Sequence, residues 1–150
     1  MNLTNSKSYI SNSPEETLEI AEKFGENLRA GDVVLLYGDL GAGKTLFTKG
    51  ILSALDFDID EVTSPSFTLV NLYKATEFDV YHIDFWRLAE NSDVASAVGL
   101  AEILEDENAV MIIEWSERLK DFLFDRMFYR IWLKGDGDES REINIEEVRE

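Results

Sequence analysis

The chain has 150 residues, 45% of them apolar, a length that one domain with a single sizeable core fills, so a single domain over 1–150 is expected. It contains no cysteine, which excludes disulfides, thiolate metal sites and cysteine nucleophiles and is compatible with a reducing compartment. The net charge of −17 repels polyanions and argues against unaided DNA or RNA binding, though not against a nucleotide held at one point or a basic protein partner.

Met1 to Lys7 lacks the charged start and apolar stretch of a secretory signal. No later apolar run approaches membrane-spanning length, so a cytoplasmic protein without membrane contact is expected. Ser13-Pro14-Glu15-Glu16 combines a capping hydroxyl, a proline at the first helical position and a glutamate three residues after the serine, which starts a helix. Leu18, Ala21, Phe24 and Leu28 continue it at helical spacing, and Gly31 is read as its stop. Val33 to Tyr37 is a continuous apolar run, expected of a central strand covered on both faces. It leads directly into Gly38.

Beyond the glycine-rich turn, Phe47, Ile51 and Leu55 share one face of a second helix that can pack on the sheet. Phe67–Tyr73 and Asp79–Asp84 read as an antiparallel hairpin, which makes the sheet mixed. An Ala- and Leu-rich helical region follows from about Ser92 to Glu105, broken at Gly99. Val110 to Ile113 is a second buried strand ending in Glu114. Arg126–Lys134 and Arg141–Ile145 close the chain as a hairpin around Gly135-Asp136-Gly137-Asp138. The fold class is α/β: a three-layer P-loop NTPase fold with a mixed central sheet and helices on both faces.

Gly38, Asp39, Leu40, Gly41, Ala42, Gly43, Lys44 and Thr45 satisfy GxxxxGK[ST] in full, after a strand and before a helix, the context that turns a match into a phosphate site. The glycines let successive backbone N–H groups curl inward around a β-phosphate, and the helix start adds positive potential. Lys44 is expected on the β- and γ-phosphates and the Thr45 hydroxyl on Mg²⁺. ATP and Mg²⁺ are thus the expected cofactors. Asp39, Leu40, Gly41, Ala42, Gly43, Lys44, Thr45 and Leu46 form the expected nucleotide contacts.

Phosphoryl chemistry also needs carboxylates for the metal and for the attacking water or hydroxyl. Asp84 and Glu114 both end apolar strands, where a sheet delivers acids to the edge beside the loop. With Lys44 they are the candidate catalytic residues; with Thr45 they are the candidate metal ligands. Val62-Thr63-Ser64-Pro65-Ser66-Phe67 reads as a γ-phosphate-sensing loop or an ordinary Ser/Pro turn. His82 reads as packed or hydrogen-bonded rather than metal-bound, and Trp86 and Trp115 as packing beside the two acids.

The loop from Gly38 to Thr45, Ser64-Pro65-Ser66-Phe67, His82-Ile83-Asp84-Phe85-Trp86-Arg87-Leu88 and Ile113-Glu114-Trp115 together resemble the bacterial TsaE (YjeE) family in order and spacing, over nearly the whole chain. The resemblance implies an ATPase, weak alone, that works with the TsaB–TsaD pair in forming threonylcarbamoyladenosine at position 37 of tRNAs reading codons that begin with adenine. It implies tRNA contact only through that complex. Lys44 would take the phosphates, Thr45 the magnesium, and Asp84 and Glu114 the metal and water positions, without a division of labour between the two acids. Trp115 and Ser64 to Phe67 would belong to the nucleotide-responsive and partner-facing surface. The chain departs from the family at Leu46, which lacks the usual second hydroxyl, at Trp86 for tyrosine, at Ser116 for proline and at Ser66 for threonine. A small-molecule kinase and a non-catalytic nucleotide switch are the alternative functions. No Asn-Lys-x-Asp segment supports a GTPase.

Overall fold

The computed structural model describes residues 3–39, 41–63, 65, 69–86, 88, 93–120, 122 and 124–149. Its strands are β1 (Leu3–Ser11), β2 (Val33–Tyr37), β3 (Val70–Lys74), β4 (Asp79–Asp84), β5 (Ala109–Glu114), β6 (Phe128–Lys134) and β7 (Arg141–Arg149). They form one sheet in the order β1-β7-β6-β2-β5-β4-β3. The central β6, β2, β5 and β4 are parallel to one another, whereas β7, β1 and β3 are antiparallel to their neighbours. The sheet is therefore mixed, as the two hairpins in the sequence imply.

Successive side chains alternate between sheet faces. Val34, Leu36, Val110, Ile112, Ile131 and Leu133 pack with Ala21, Phe47, Ile51 and Leu52, contributed by α1 (Pro14–Gly25) and α2 (Lys44–Ala54). Val33, Leu35, Met111, Ile113 and Phe128 point the other way and pack with Val94 and Leu100, from the short helices α3 (Val94–Val98) and α4 (Leu100–Leu104). Two apolar layers on one sheet give the expected three-layer architecture.

The start of α1 follows its sequence signals: the Ser13 hydroxyl accepts the Glu16 N–H at 3.1 Å, and the Glu16 carboxylate reaches back to the Asn12 N–H at 2.9 Å. Its end does not. α1 stops at Gly25 rather than Gly31, with Glu26 as its C-cap; Gly25 also meets α2, where a Cβ would lie 2.9 Å from the Ala54 Cβ. Gly31 instead takes φ 92° in the turn entering β2. At the same helix pair, a Cβ on Gly50 would lie 2.4 Å from the Ala21 Cβ, so α1 and α2 approach at backbone distance.

Three further elements differ from the sequence reading. β1 was not foreseen: its polar sequence pairs only with β7, as an edge strand. β7 runs to Arg149 rather than Ile145, because it is paired on both sides and tolerates the acidic pair Glu146-Glu147. β3 begins at Val70 after Leu69 at φ 66°; Phe67 and Thr68, where that strand was expected to start, lie outside the described residues.

Candidate nucleotide-binding site

Parallel pairing brings the C-terminal ends of β2, β5 and β4 to one edge of the sheet. β2 passes into the loop that begins at Gly38, whose φ is 148° and whose Cβ would sit 2.5 Å from the Leu133 carbonyl of the neighbouring β6. Only glycine fits that approach. Gly43, at φ 108°, is the N-cap of α2 and makes no side-chain capping hydrogen bond, so the positive end of the helix is turned to the loop. Leu40 lies outside the described residues, and Leu46 is half-buried on the first turn of α2.

Lys44 is only 5% exposed. Its ammonium donates to the Asp39 carbonyl at 3.0 Å and to the Gly38 carbonyl, and lies 4.0 Å from the centre of the Trp115 ring. Burial lowers its pKa, while Glu117, Glu114, Asp84 and Asp39 oppose that shift. The lysine is thus held over the loop by two backbone carbonyls and an aromatic ring. Trp115 adopts φ 59°, a left-handed conformation uncommon for a bulky residue, and packs on Trp86 with ring centres 4.7 Å apart.

Register explains how the acids meet. Asp84 of β4 lies directly opposite Glu114 of β5, and both share a sheet face with Val80 and Ile112, the face that α2 covers. Thr45, at the second position of α2, donates its hydroxyl to Glu114 Oε1 at 3.0 Å, and the other Glu114 oxygen pairs with His82 Nε2. Asp84 Oδ1 accepts the Trp86 N–H at 2.9 Å. Burial raises the Asp84 pKa; the Trp86 hydrogen bond opposes this and Glu114 adds to it.

These donors suit a hard cation. Mg²⁺ takes oxygen ligands at 2.0–2.1 Å in an octahedron, which places adjacent ligands about 2.9 Å apart. The 3.0 Å between Thr45 Oγ1 and Glu114 Oε1 is an ordinary hydrogen bond, and among the described residues no three His, Cys, Asp or Glu side chains are grouped so as to hold a metal ion by themselves.

Of the residues expected from sequence, Lys44, Thr45, Asp84 and Glu114 come together at this edge. Ser64, Ser66, Phe67 and Arg87 lie outside the described residues. Sequence reasoning missed Tyr73 and Asn71, which sit beside His82, and Arg141, which donates to the Gly41 carbonyl at 3.3 Å from the closing hairpin. His82 stands two residues before Asp84, so strand alternation alone places it on the same face. A broad cleft between α1 and the β1–β7 end of the sheet, lined among others by Lys7, Glu16, Tyr129 and Arg149, includes none of the residues Gly38–Thr45 and is separate from this edge. Burial pushes the Tyr129 phenol up to about 12 there, with Asp32 and Glu147 adding to the shift.

A parallel-centred α/β sheet whose central strand runs through a glycine-rich turn into a helix, with two acids on the adjoining strands, defines a domain of the P-loop type. The sequence profile of the threonylcarbamoyl adenosine biosynthesis protein TsaE matches residues 11–143, and the chain belongs to this family. The tRNA threonylcarbamoyladenosine biosynthesis protein TsaE of Rickettsia bellii is 37% identical over 145 residues, covering 97% of both chains. The protein of the same name from Rickettsia conorii is 39% identical over 112 residues, 75% of this chain but 62% of its own length. The one from Mycobacterium tuberculosis H37Rv is 38% identical over 118 residues, 75% of this chain and 70% of its own. Among solved structures, the crystal structure of Bacillus subtilis YdiB superposes with a TM-score of 0.74 at 31% identity, over 96% of this chain and 86% of that one.

Proposed function

We propose that the chain binds ATP with Mg²⁺ at the Gly38–Thr45 loop, hydrolyses it slowly alone, and hydrolyses it faster when docked on a TsaB–TsaD-type pair during formation of N6-threonylcarbamoyladenosine in tRNA. The observation that carries this reading is the Thr45–Glu114 contact at 3.0 Å beside Lys44. It joins a metal-type hydroxyl, a buried carboxylate and a phosphate-type lysine at one helix start.

Lys44 would exchange the Gly38 and Asp39 carbonyls and the Trp115 ring for phosphate oxygens. Thr45 and Glu114 would hold Mg²⁺, with Asp84 beside them, and Mg²⁺ when bound would offset the negative charge of the phosphates. A carboxylate of the Asp84–Glu114 pair would also orient the attacking water. The tRNA itself would be met through the partner pair, consistent with a net charge of −17. Among the described residues no helix is long and apolar enough to cross a membrane, and we assign the chain to the cytoplasm.

The test is ATP turnover measured alone, with the TsaB–TsaD-type pair, and with the pair plus tRNA. Stimulation by the pair is expected. Equal rates in all three, or transfer of the γ-phosphate to a small acceptor, would contradict the reading.

A further inference from the structure

His82 is fully buried, yet its ring meets polar atoms on both sides. Nε2 pairs with Glu114 Oε2, whose companion oxygen receives the Thr45 hydroxyl at 3.0 Å. Nδ1 lies 3.3 Å from the Tyr73 hydroxyl. That hydroxyl has one proton, which goes to Nδ1 when Nε2–H is given to Glu114, leaving the Thr63 carbonyl, 2.9 Å from the phenol oxygen, to Asn71 Nδ2 at 3.1 Å. The phenol oxygen accepts from the Thr63 N–H at 3.3 Å and from Asn71 Nδ2 at 3.2 Å. An unbroken set of side chains therefore runs from α2, through β5, β4 and β3, to the backbone just before Ser64-Pro65-Ser66.

A residue that merely filled this part of the core would be better apolar, since a buried imidazole costs free energy unless its nitrogens find partners. Here both have them, and among the described residues no buried side-chain nitrogen or oxygen lacks one. Glu114 is 2% exposed, so its direction is set by protein groups rather than by water. A carboxylate gripped at each oxygen by a different element has little freedom to rotate. Satisfied networks of this kind fix geometry more than they add stability.

We propose that His82 is a positioning residue, which turns the Glu114 carboxylate toward Thr45 and ties that orientation through Tyr73 to the backbone of Thr63. The assignment rests on the reading of Glu114 given above. His82 would touch neither nucleotide nor water. It would act on turnover through Glu114 alone, as outer partners of site ligands commonly do.

The experiment measures single-turnover ATP hydrolysis with Mg²⁺, nucleotide affinity and thermal unfolding for the full chain. The variants are His82→Phe, His82→Gln, Tyr73→Phe, Glu114→Gln and the double variant His82→Phe/Glu114→Gln. His82→Phe is expected to slow hydrolysis about tenfold or more while ATP affinity changes by less than about threefold, the pattern of an interaction used in turnover rather than binding. His82→Gln, whose amide nitrogen can stand near the Nε2 position, should be faster than His82→Phe, and Tyr73→Phe should show a smaller loss. In the Glu114→Gln background His82→Phe should add less than about twofold, because a residue acting through Glu114 loses its effect when Glu114 is changed.

Wild-type rates in His82→Phe, or the same slowing in the Glu114→Gln background as in wild type, would overturn the proposal. If His82→Phe does not fold, wild-type rates in both His82→Gln and Tyr73→Phe would overturn it equally. Glu114→Gln separates the two readings: wild-type turnover there defeats the role of Glu114 itself, whereas slow Glu114→Gln beside normal His82 variants defeats only the positioning role.

Discussion

Placing a methyl group at Gly50 would test how closely α1 supports α2, the helix that carries Lys44 and Thr45. Its Cβ would lie 2.4 Å from the Ala21 Cβ and 2.9 Å from the Leu18 carbonyl oxygen. Carbon atoms in good contact sit 3.5–4.0 Å apart, so the first overlap is about 1 Å or more. Both opposing atoms are fixed to the α1 backbone, and no rotamer change relieves them. α1 must retreat, loosening Ala21 and Phe24 against Phe47 and Ile51. Overpacking of this kind costs about 1–3 kcal/mol, here toward the upper end. The better helix propensity of alanine returns about 1 kcal/mol. Gly50→Ala should therefore destabilise the fold by about 2 kcal/mol and lower Tm by roughly 4–8 °C for a domain of this size. Thermal and urea unfolding followed by circular dichroism would measure it. Adding Ala21→Gly should recover part of the loss by removing the 2.4 Å clash. A Gly50→Ala protein as stable as wild type, or strict additivity with Ala21→Gly, would refute the reasoning.

Ser13→Ala removes the hydroxyl that accepts the Glu16 N–H and should cost about 1 kcal/mol in urea unfolding. It should leave ATP hydrolysis unchanged, because this end of α1 contributes nothing to the site. Asp32 is buried, and burial raises its pKa above the ordinary 3.8, opposed by the Arg29 N–H. With a raised folded-state value, its contribution is fully present below the unfolded pKa and is lost as pH rises through the folded one. Asp32→Asn should thus gain stability relative to wild type as pH is raised from about 3.8 toward neutrality. A pH series of melting temperatures in which the difference between the two proteins stays constant would refute this.

The elements legible in the sequence were those set by local signals. Ser13-Pro14 starts α1, the Val33–Tyr37 run forms β2, and Gly99 separates α3 from α4. β1 was not legible because residues 3–11 gain their strand conformation from pairing with β7, far along the chain. The end of α1 was misplaced because Gly31 reads as its stop, whereas the helix ends at Gly25 and Gly31 serves the turn into β2. In the site, Asp84 and Glu114 could be proposed as strand-end acids, but their meeting depends on the β4–β5 register. That register also sets His82 against Glu114, and nothing local announces it. The left-handed Trp115, and with it the ring over Lys44, follows from the turn after β5 rather than from any motif.

The proposed function pairs Lys44, proposed to bind phosphate, with Glu114, proposed to act on what is bound. Nucleotide affinity and single-turnover ATP hydrolysis, measured together for wild type, Lys44→Ala and Glu114→Gln, test it most directly. Lys44→Ala should lose tight ATP binding. Glu114→Gln should still bind ATP but hydrolyse it about a hundredfold or more slowly, the scale of losing a group that holds or activates the attacking water. Undiminished binding by Lys44→Ala, or wild-type hydrolysis by Glu114→Gln, would contradict the account.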